Sequence, residues 1–179
     1  MPEFLDALKI VLQWEGVYDF DPDDAGGETC FGITRVFQPM WKGWPFVADL
    51  KAAHIATSAW KDQPQLMQAV ETYYRSKWED WRIGELPESL QAPMFGGMVN
   101  QGPSRCVRWL QESLKEMGYP VENDGNIGPA TIAAACRASE TVLYEKLWNK
   151  RARAYLVTAN KPNQSKYLLG WMNRLQAGC

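Results

Sequence analysis

The sequence predicts an almost entirely α-helical fold with one small β-hairpin near residues 17–35. Apolar residues recur every three or four positions along most of the chain, which is the spacing of a helix with one buried face. No stretch of useful length alternates apolar and polar residues, as a half-buried strand would. With 179 residues and an apolar fraction of 46%, the chain suits one compact domain or two small lobes sharing a core.

The first helix is predicted to begin at Pro2, because proline is favoured in a first helical turn. Its buried face is an apolar stripe formed by Phe4, Leu8, Val11 and Leu12. The next position of the same stripe is Glu15, and Gly16 then ends the helix. The sequence therefore directs a carboxylate along the buried face at the helix end, where the chain turns into the acidic segment DFDPDD.

Further helices are predicted after this acidic segment from apolar periodicity and from the proline and glycine residues that bound them. The segment FGITRVF mixes apolar residues with turn residues, so it is assigned to turns or to the β-hairpin. The segment IGELPES breaks the helical pattern, because a residue before proline avoids helical geometry. The later helices are expected at about residues 47–60, 64–81, 93–99, 107–117, 129–136, 143–155 and 166–176.

The charge and the N-terminal segment argue against several classes of protein. A formal net charge of −2 without a long basic cluster does not fit a nucleic-acid-binding protein. The segment MPEFLDALKIVLQWEG carries early acidic residues and no long apolar stretch, so we expect neither a signal peptide nor a membrane span. The protein is therefore expected to be made in the cytoplasm, and action outside it would need another route.

The four cysteines form no Cys-x-x-Cys pair and match no zinc-binding spacing. Reduced thiols are the preferred interpretation for a protein made in the cytosol, and a disulfide is left open. The cysteines are Cys30, Cys106, Cys136 and Cys179.

A single histidine, His54, excludes most metal and nucleophile chemistry. A His-Glu-x-x-His zinc site needs two histidines, and His54 lies in a helical pattern without a nucleophile elbow. A thiol dyad of Cys30 and His54 is a weaker alternative. The alternating aspartates of the acidic segment resemble a calcium loop, but Asp24 stands where glycine is expected and Cys30 where glutamate is expected. We predict no metal and no cofactor.

Carboxylate catalysis is the chemistry that the residues can support. Hydrolysis of a glycosidic bond needs a protonated acid beside the leaving oxygen and a second group that stabilises charge or activates water. Glu15 suits the first role, because partial desolvation at the end of an apolar stripe disfavours an ionised carboxyl group. Asp24 and Thr29 follow at short intervals in a loop that can fold back over the helix end. The competing interpretation is a helix-end carboxylate that accepts hydrogen bonds from turn amides.

Four segments carry a resemblance to a known family. EGVYDFDPDDAGGETCFGIT resembles the signature of glycoside hydrolase family 108, in which Glu-Gly-Gly-Tyr precedes Asp-Pro-x-Asp-x-Gly-Gly-x-Thr and Gly-Ile-Thr. VNQG, WLQESL and DGNIGPATIAA together resemble the C-terminal half of the family, often described as peptidoglycan-binding. YYRSKWEDW and LLGWMNRL resemble its aromatic helix and its closing helix. The resemblance covers nearly the whole chain and implies a lysozyme-like α-helical bundle.

This resemblance implies an N-acetylmuramidase, an activity found among phage endolysins and bacterial proteins. Glu15 matches the catalytic acid of the family, and Asp24 and Thr29 match the Asp and Thr that follow it. Two positions depart from the pattern. Val17 replaces the second glycine of Glu-Gly-Gly-Tyr, and Gly96 stands where the family usually has aspartate.

The implied substrate is bacterial peptidoglycan, cleaved at the β-1,4 bond between N-acetylmuramic acid and N-acetylglucosamine. A lysozyme-like catalytic region is expected over residues 1–91, with a peptidoglycan-binding-like helical region over residues 92–179 packed on it as one continuous body. Few Pro, Gly or Ser residues cluster near residues 85–93, so a flexible linker is not expected. We expect a monomer that acts on the wall after release, with the help of a holin if it is an endolysin.

Five residues are candidates for contacts with the sugar. Tyr18, Tyr74 and Trp78 could stack on sugar faces, and Asn100 and Gln101 could bond acetamido groups. The alternative interpretation of each aromatic ring is ordinary core packing, and the alternative interpretation of Asn100 is a helix cap. The alternative function is a non-catalytic peptidoglycan-binding or secretion-accessory protein on the same scaffold.

Overall fold

The structure is a computed structural model that describes residues 2–20 and 27–178. It confirms the helical fold with a small sheet. The α-helices of the described residues are α1 Pro2–Trp14, α2 Trp44–Ala52, α3 Pro64–Asp80, α4 Glu88–Gln101, α5 Pro103–Glu116, α6 Pro129–Arg137, α7 Glu140–Ala159 and α8 Leu168–Gln176. Short 3₁₀ helices span Thr57–Asp62, Ile83–Glu85 and Ser165–Tyr167. The strands are β1 Tyr18–Phe20, β2 Glu28–Cys30 and β3 Ile33–Thr34.

The strands form an antiparallel sheet in the order β1-β2-β3. In its register Tyr18 lies opposite Cys30, and Thr29 lies opposite both Asp19 and Thr34. Successive side chains of a strand point to opposite faces of its sheet. The fully buried Cys30 and the half-buried Thr29 therefore face in opposite directions.

The helix predicted over residues 47–60 is wrong at both ends. α2 begins at Trp44, with a proline in its first turn, and it ends at Ala52. His54 then adopts a left-handed φ of 54°, which an α-helix of L-residues does not continue through. His54 is exposed and lies in a turn, not in a helix as predicted, and the 3₁₀ helix Thr57–Asp62 is a separate element.

The helix predicted over residues 93–99 is too short. α4 begins at Glu88 and continues to Gln101, so Pro93 lies inside the helix and does not start it. An internal proline removes one backbone hydrogen bond. The helix nevertheless forms because it buries much of its length, with Leu90 and Phe95 fully buried.

The chain divides into two compact units, which we name by their content. The sheet unit comprises residues 12–77 and contains the three strands, α2 and most of α3. The helical unit comprises residues 1–11 and 78–179. The predicted boundary near residue 91 stays a prediction.

The helical unit is built around apolar side chains of α4, α5 and α7, which contact one another. The apolar residues with no exposed surface in this core are Leu90, Phe95, Leu110, Leu114 and Leu143. A second cluster joins Ala152 and Tyr155 of α7 to Leu175 of α8. There the rings of Tyr155 and Trp171 are stacked, with centroids 5.5 Å apart.

Three cysteines lie within the described residues, and all are free thiols. Cys30 and Cys106 are buried, and Cys136 is exposed. Burial raises the pKa of the Cys30 and Cys106 thiols to about 12, which keeps them protonated. Cys179 lies outside the described residues. Over the part of the chain that the structure describes, no helix combines the length and apolar character that a membrane span requires.

Candidate active site

The end of α1 places Glu15 as its sequence pattern predicted. Phe4, Leu8 and Val11 are buried along one face of the helix, and Leu12 is half-buried. α1 ends at Trp14, so Glu15 is the first residue beyond it, and its side chain is half-buried. The carboxyl group is thus held at a helix end in partly desolvated surroundings.

The turn between β2 and β3 has unusual backbone geometry. Its two residues, Phe31 and Gly32, have φ values of 47° and 76°, as the type I′ hairpin turn requires at both central positions. Glycine adopts such geometry easily, but a bulky residue such as Phe31 is strained there. The strained residue is 3% exposed, and its amide donates to the carbonyl of Val17 at 3.0 Å. Burial and hydrogen bonding therefore hold this turn in place.

The side chains of Glu15 and Tyr74 both lie beside Gly32. A Cβ atom at this position would lie 2.8 Å from Glu15 Oε2 and 2.8 Å from the hydroxyl oxygen of Tyr74. The two oxygens are therefore no farther apart than twice that distance. The Tyr74 hydroxyl donates to the carbonyl of Phe31 at 2.7 Å, and its ring is 2% exposed. The missing side chain at Gly32 gives the carboxyl group the space that it occupies.

Of the two residues predicted to act with Glu15, the structure describes Thr29 and does not describe Asp24. Thr29 lies in the middle of β2 and is half-buried. Asp24 lies outside the described residues, which are 2–20 and 27–178. The roles of both residues stay predictions.

Tyr18 takes part in a polar cluster on the sheet. Its hydroxyl donates to Glu28 Oε1 at 2.8 Å and accepts from Lys51 Nζ at 2.9 Å. Lys51 also donates to Glu28 Oε1 at 2.9 Å, and Arg35 Nε donates to Glu28 Oε2. The Tyr18 ring packs against the ring of Trp60 at 4.8 Å between centroids. We call Glu28, Tyr18, Arg35 and Lys51 the Glu28 clamp.

The charge of Glu28 is stabilised by its neighbours. Burial acts to raise the pKa of this carboxyl group, but hydrogen bonds from Lys51, Tyr18 and Arg35 act to lower it. The net result is a pKa below the ordinary value for glutamate. Glu28 is therefore an ionised structural carboxylate, in contrast to the protonated acid that glycoside hydrolysis requires.

Two other predicted contact residues, Trp78 and Tyr74, are largely buried within their own units. Trp78 is 9% exposed and packs edge-on against Phe4 and Phe95 in the helical unit, at 5.5 and 5.2 Å between ring centroids. This placement favours the competing interpretation of core packing. Tyr74 is also buried, at 2% exposed, and its hydroxyl oxygen lies beside Gly32.

Asn100 and Gln101 lie at the C-terminal end of α4. The Asn100 side chain is exposed, and its Oδ1 accepts from the Tyr155 hydroxyl at 2.7 Å. Gln101 Oε1 accepts from Arg151 Nε at 2.9 Å. Both amides thus support the packing of α4 on α7 within the helical unit, and their contacts with sugar stay predictions.

Comparison with known families matches residues 8–102 to the family described as Glycosyl hydrolase 108. This match spans more than half of the chain. The chain belongs to the glycosyl hydrolase 108 family. Residues 105–176 match a region described as Predicted Peptidoglycan domain. The two matches together support a glycoside hydrolase of this family that acts on peptidoglycan.

A solved structure gives the same assignment of fold. The chain is similar to Brucella abortus SagA, with 25% sequence identity and a TM-score of 0.67. The similarity covers 98% of this chain and 90% of that chain. No curated protein sequence gives a match.

Glu28, Arg35 and Lys51 were not among the residues predicted from the sequence, although the glycosyl hydrolase 108 match includes all three. Lys51 is 33 residues from Tyr18 along the chain, so no local spacing links the two. The sequence carried one weak indication that Glu28 lies on a covered face. Glu28 is two positions from Cys30, so the two side chains share one face of a strand. Over residues 2–20 and 27–178, no group of three or more Asp, Glu, His and Cys side chains is arranged to hold a metal ion.

Proposed function

We propose that the chain is an N-acetylmuramidase that cleaves the β-1,4 bond between N-acetylmuramic acid and N-acetylglucosamine, with Glu15 as the general acid. The observation that carries this proposal is the half-buried Glu15 carboxyl group at the bare Cα of Gly32, inside the region matched to the glycosyl hydrolase 108 family.

In the proposed mechanism, protonated Glu15 donates its proton to the glycosidic oxygen as the bond breaks. The positive charge that develops on the sugar ring resembles an oxocarbenium ion. Asp24 stabilises this charge or, together with Thr29, orients the attacking water. The anomeric form of the first product distinguishes a retaining route from an inverting one.

Substitution of Glu15 tests the assignment of the acid. Glu15→Gln keeps the size of the side chain and removes the proton donor, so clearing of a peptidoglycan suspension should slow by roughly 10²–10⁴-fold. Glu71→Gln is the matched control, because Glu71 is also a glutamate of the sheet unit and pairs with Arg75 on α3. The control should clear at the wild-type rate. Equal clearing by wild type and Glu15→Gln would contradict the role of Glu15.

The products define the bond that is cut. A muramidase leaves new reducing ends on muramic acid, whereas a lytic transglycosylase leaves anhydro-muramic ends, and a mass spectrum of the digest separates the two. Anhydro ends, or reducing ends on N-acetylglucosamine, would contradict the proposed activity.

The second candidate is a non-catalytic peptidoglycan-binding protein, which the match of residues 105–176 favours. It predicts that wild type and Glu15→Gln both sediment with the wall and that neither clears it. Release by a holin and a monomeric state stay predictions.

A further inference from the structure

The Glu28 clamp joins all three strands to a helix through one carboxylate. Glu28 belongs to β2, Tyr18 belongs to β1, and Lys51 belongs to α2. Arg35 follows β3 directly. Both carboxylate oxygens accept hydrogen bonds, and the Glu28 side chain is only 10% exposed. Bonds of this kind between ionised groups are shorter and stronger than neutral ones.

The sheet depends on such contacts because its strands are very short. β1 and β2 have three residues each, and β3 has two. Strands of this length have few ladder hydrogen bonds, and small sheets need packing against other elements to be stable. The strained φ of Phe31 adds a further tendency to rearrange.

The clamp also fixes the turn that carries Gly32. Arg35 is tied to Glu28 twice, since its amide donates to the Glu28 carbonyl at 2.7 Å and its Nε donates to the Glu28 carboxylate. Those bonds close the hairpin three residues beyond Gly32, and the Tyr74 hydroxyl holds the turn itself through the Phe31 carbonyl. The position of the Gly32 backbone in turn sets the space open to the Glu15 carboxyl group.

We infer that Glu28 is a positioning residue for hydrolysis. It acts through the β2–β3 hairpin, which carries Thr29 and supports Glu15, and it does not contact the reacting atoms. Glu28 and Thr29 are neighbours on β2, so their side chains point to opposite faces. The clamp can therefore hold Thr29 and Gly32 in place while its own charged groups remain on the face of the sheet opposite to the Thr29 side chain. This inference rests on the proposed function of Glu15.

Glu28→Gln tests the inference with little change in volume. The amide offers one acceptor in place of two and turns an NH₂ donor toward the donors of Arg35 and Lys51. We expect kcat to fall about tenfold with KM little changed, because small displacements of catalytic groups reduce the rate strongly. Glu28→Asp keeps the charge and should recover part of the loss, whereas a purely steric role would make the shorter residue the worse one.

Glu71→Gln is the matched control, because it removes a partly exposed glutamate–arginine pair from α3 in the same unit. Its kcat should stay within about twofold of wild type, because a partly exposed i,i+4 pair contributes little. A fall in kcat for Glu28→Gln that is no larger than that for Glu71→Gln would overturn the inference.

A measurement on the folded protein separates this inference from the proposed function. Hydrogen exchange of the Phe31 and Arg35 amides, which bond to Val17 and to Glu28, should accelerate about tenfold in Glu28→Gln. Amides of α5, such as that of Leu110, should exchange at the wild-type rate. Unchanged exchange at both hairpin amides overturns the positioning role, whatever the activity. Accelerated exchange in a chain whose wild type cleaves no glycan supports the clamp and contradicts the proposed function.

Discussion

The sheet unit and the helical unit are each stabilised internally by a different kind of interaction. In the helical unit, α4, α5 and α7 meet through fully buried apolar side chains such as Leu110 and Leu143. In the sheet unit, three very short strands depend on the carboxylate of Glu28, on the hydroxyl of Tyr74 and on a turn with a strained Phe31. The proposed catalytic residues Glu15 and Thr29 belong to this second kind of structure.

This difference shows where each kind of substitution should act. A helix satisfies its backbone hydrogen bonds internally, so it needs only an apolar face and responds mainly to lost volume. A sheet with few ladder bonds responds to single polar atoms that tie it to its neighbours. The helical unit also contains polar contacts of this kind. For example, the buried amide of Gln111 bonds to Asp124, Thr131 and the Gly125 amide and so fixes the turn NDGNIGP.

The largest effect on stability is expected in the helical unit. Leu110→Ala removes a side chain with no exposed surface, so the free energy of unfolding should fall by about 3 kcal/mol. Clearing of peptidoglycan per folded molecule should stay near the wild-type rate at temperatures below the transition. Urea unfolding followed by circular dichroism measures the first quantity, and a turbidity assay measures the second. A loss of rate in fully folded protein would show that the core of the helical unit affects the catalytic step.

Gly32→Ala is expected to reduce the rate of hydrolysis more than the stability, in contrast to Leu110→Ala. The new methyl group would lie 2.8 Å from Glu15 Oε2 and from the Tyr74 hydroxyl, so both side chains must move. The rate should fall by about 100-fold, while the positive φ of 76° costs about 1–2 kcal/mol of stability in an L-residue. Gly128→Ala is the control for added volume at a glycine, since its Cβ would meet nothing within 4 Å. Wild-type activity in Gly32→Ala would contradict the proposed location of the acid.

Tyr74→Phe should have an intermediate effect. It removes the hydroxyl that donates to the Phe31 carbonyl at 2.7 Å, and leaving a buried acceptor without this donor costs about 1–3 kcal/mol. We expect a lower midpoint of thermal unfolding and a modest loss of rate. Tyr144→Phe, on α7 in the helical unit, serves as the comparison. An equal shift in both variants would show that the hydroxyl of Tyr74 has no special part in the hairpin.

The smallest effect concerns pH. Hydrogen bonds to Glu28 outweigh the burial that opposes them, and the pKa of its carboxyl group is lowered in the folded state. The stabilisation is therefore fully present above about pH 4.3, the ordinary value for glutamate, and it is lost as pH falls through the lower folded value. An NMR titration of the Glu28 carboxyl carbon should give a midpoint below about 4.3. A midpoint at or above that value would mean that the clamp does not stabilise the ionised form.

Much of the fold could be predicted from the sequence because helices are encoded locally. The apolar stripe of α1, the start of α3 at Pro64 and the interruption near Ile83–Glu85 follow from spacing and from proline. The predicted bounds of α2 and α4 were wrong, and α5 and α7 begin earlier than predicted. α2 ends where His54 takes a left-handed conformation, and α4 continues through Pro93, because burial outweighs one lost backbone hydrogen bond.

The candidate site could be predicted only in part. The position of Glu15 follows from the periodicity of its own helix, and the family signature points to Asp24 and Thr29. The burial of Trp78 among Phe4 and Phe95 could not be predicted, because a helical spacing does not show which partners cover a ring.

Local sequence patterns were enough to predict the helices, the hairpin and a carboxylate at the end of an apolar stripe, since each depends on residues within a few positions of one another. The meeting of Gly32 and Tyr74 with Glu15, and the convergence of Lys51 and Arg35 on Glu28, became apparent from the folded chain. These contacts join residues from separate elements. Their geometry is set by how strands and helices pack, and short-range sequence patterns carry no record of it.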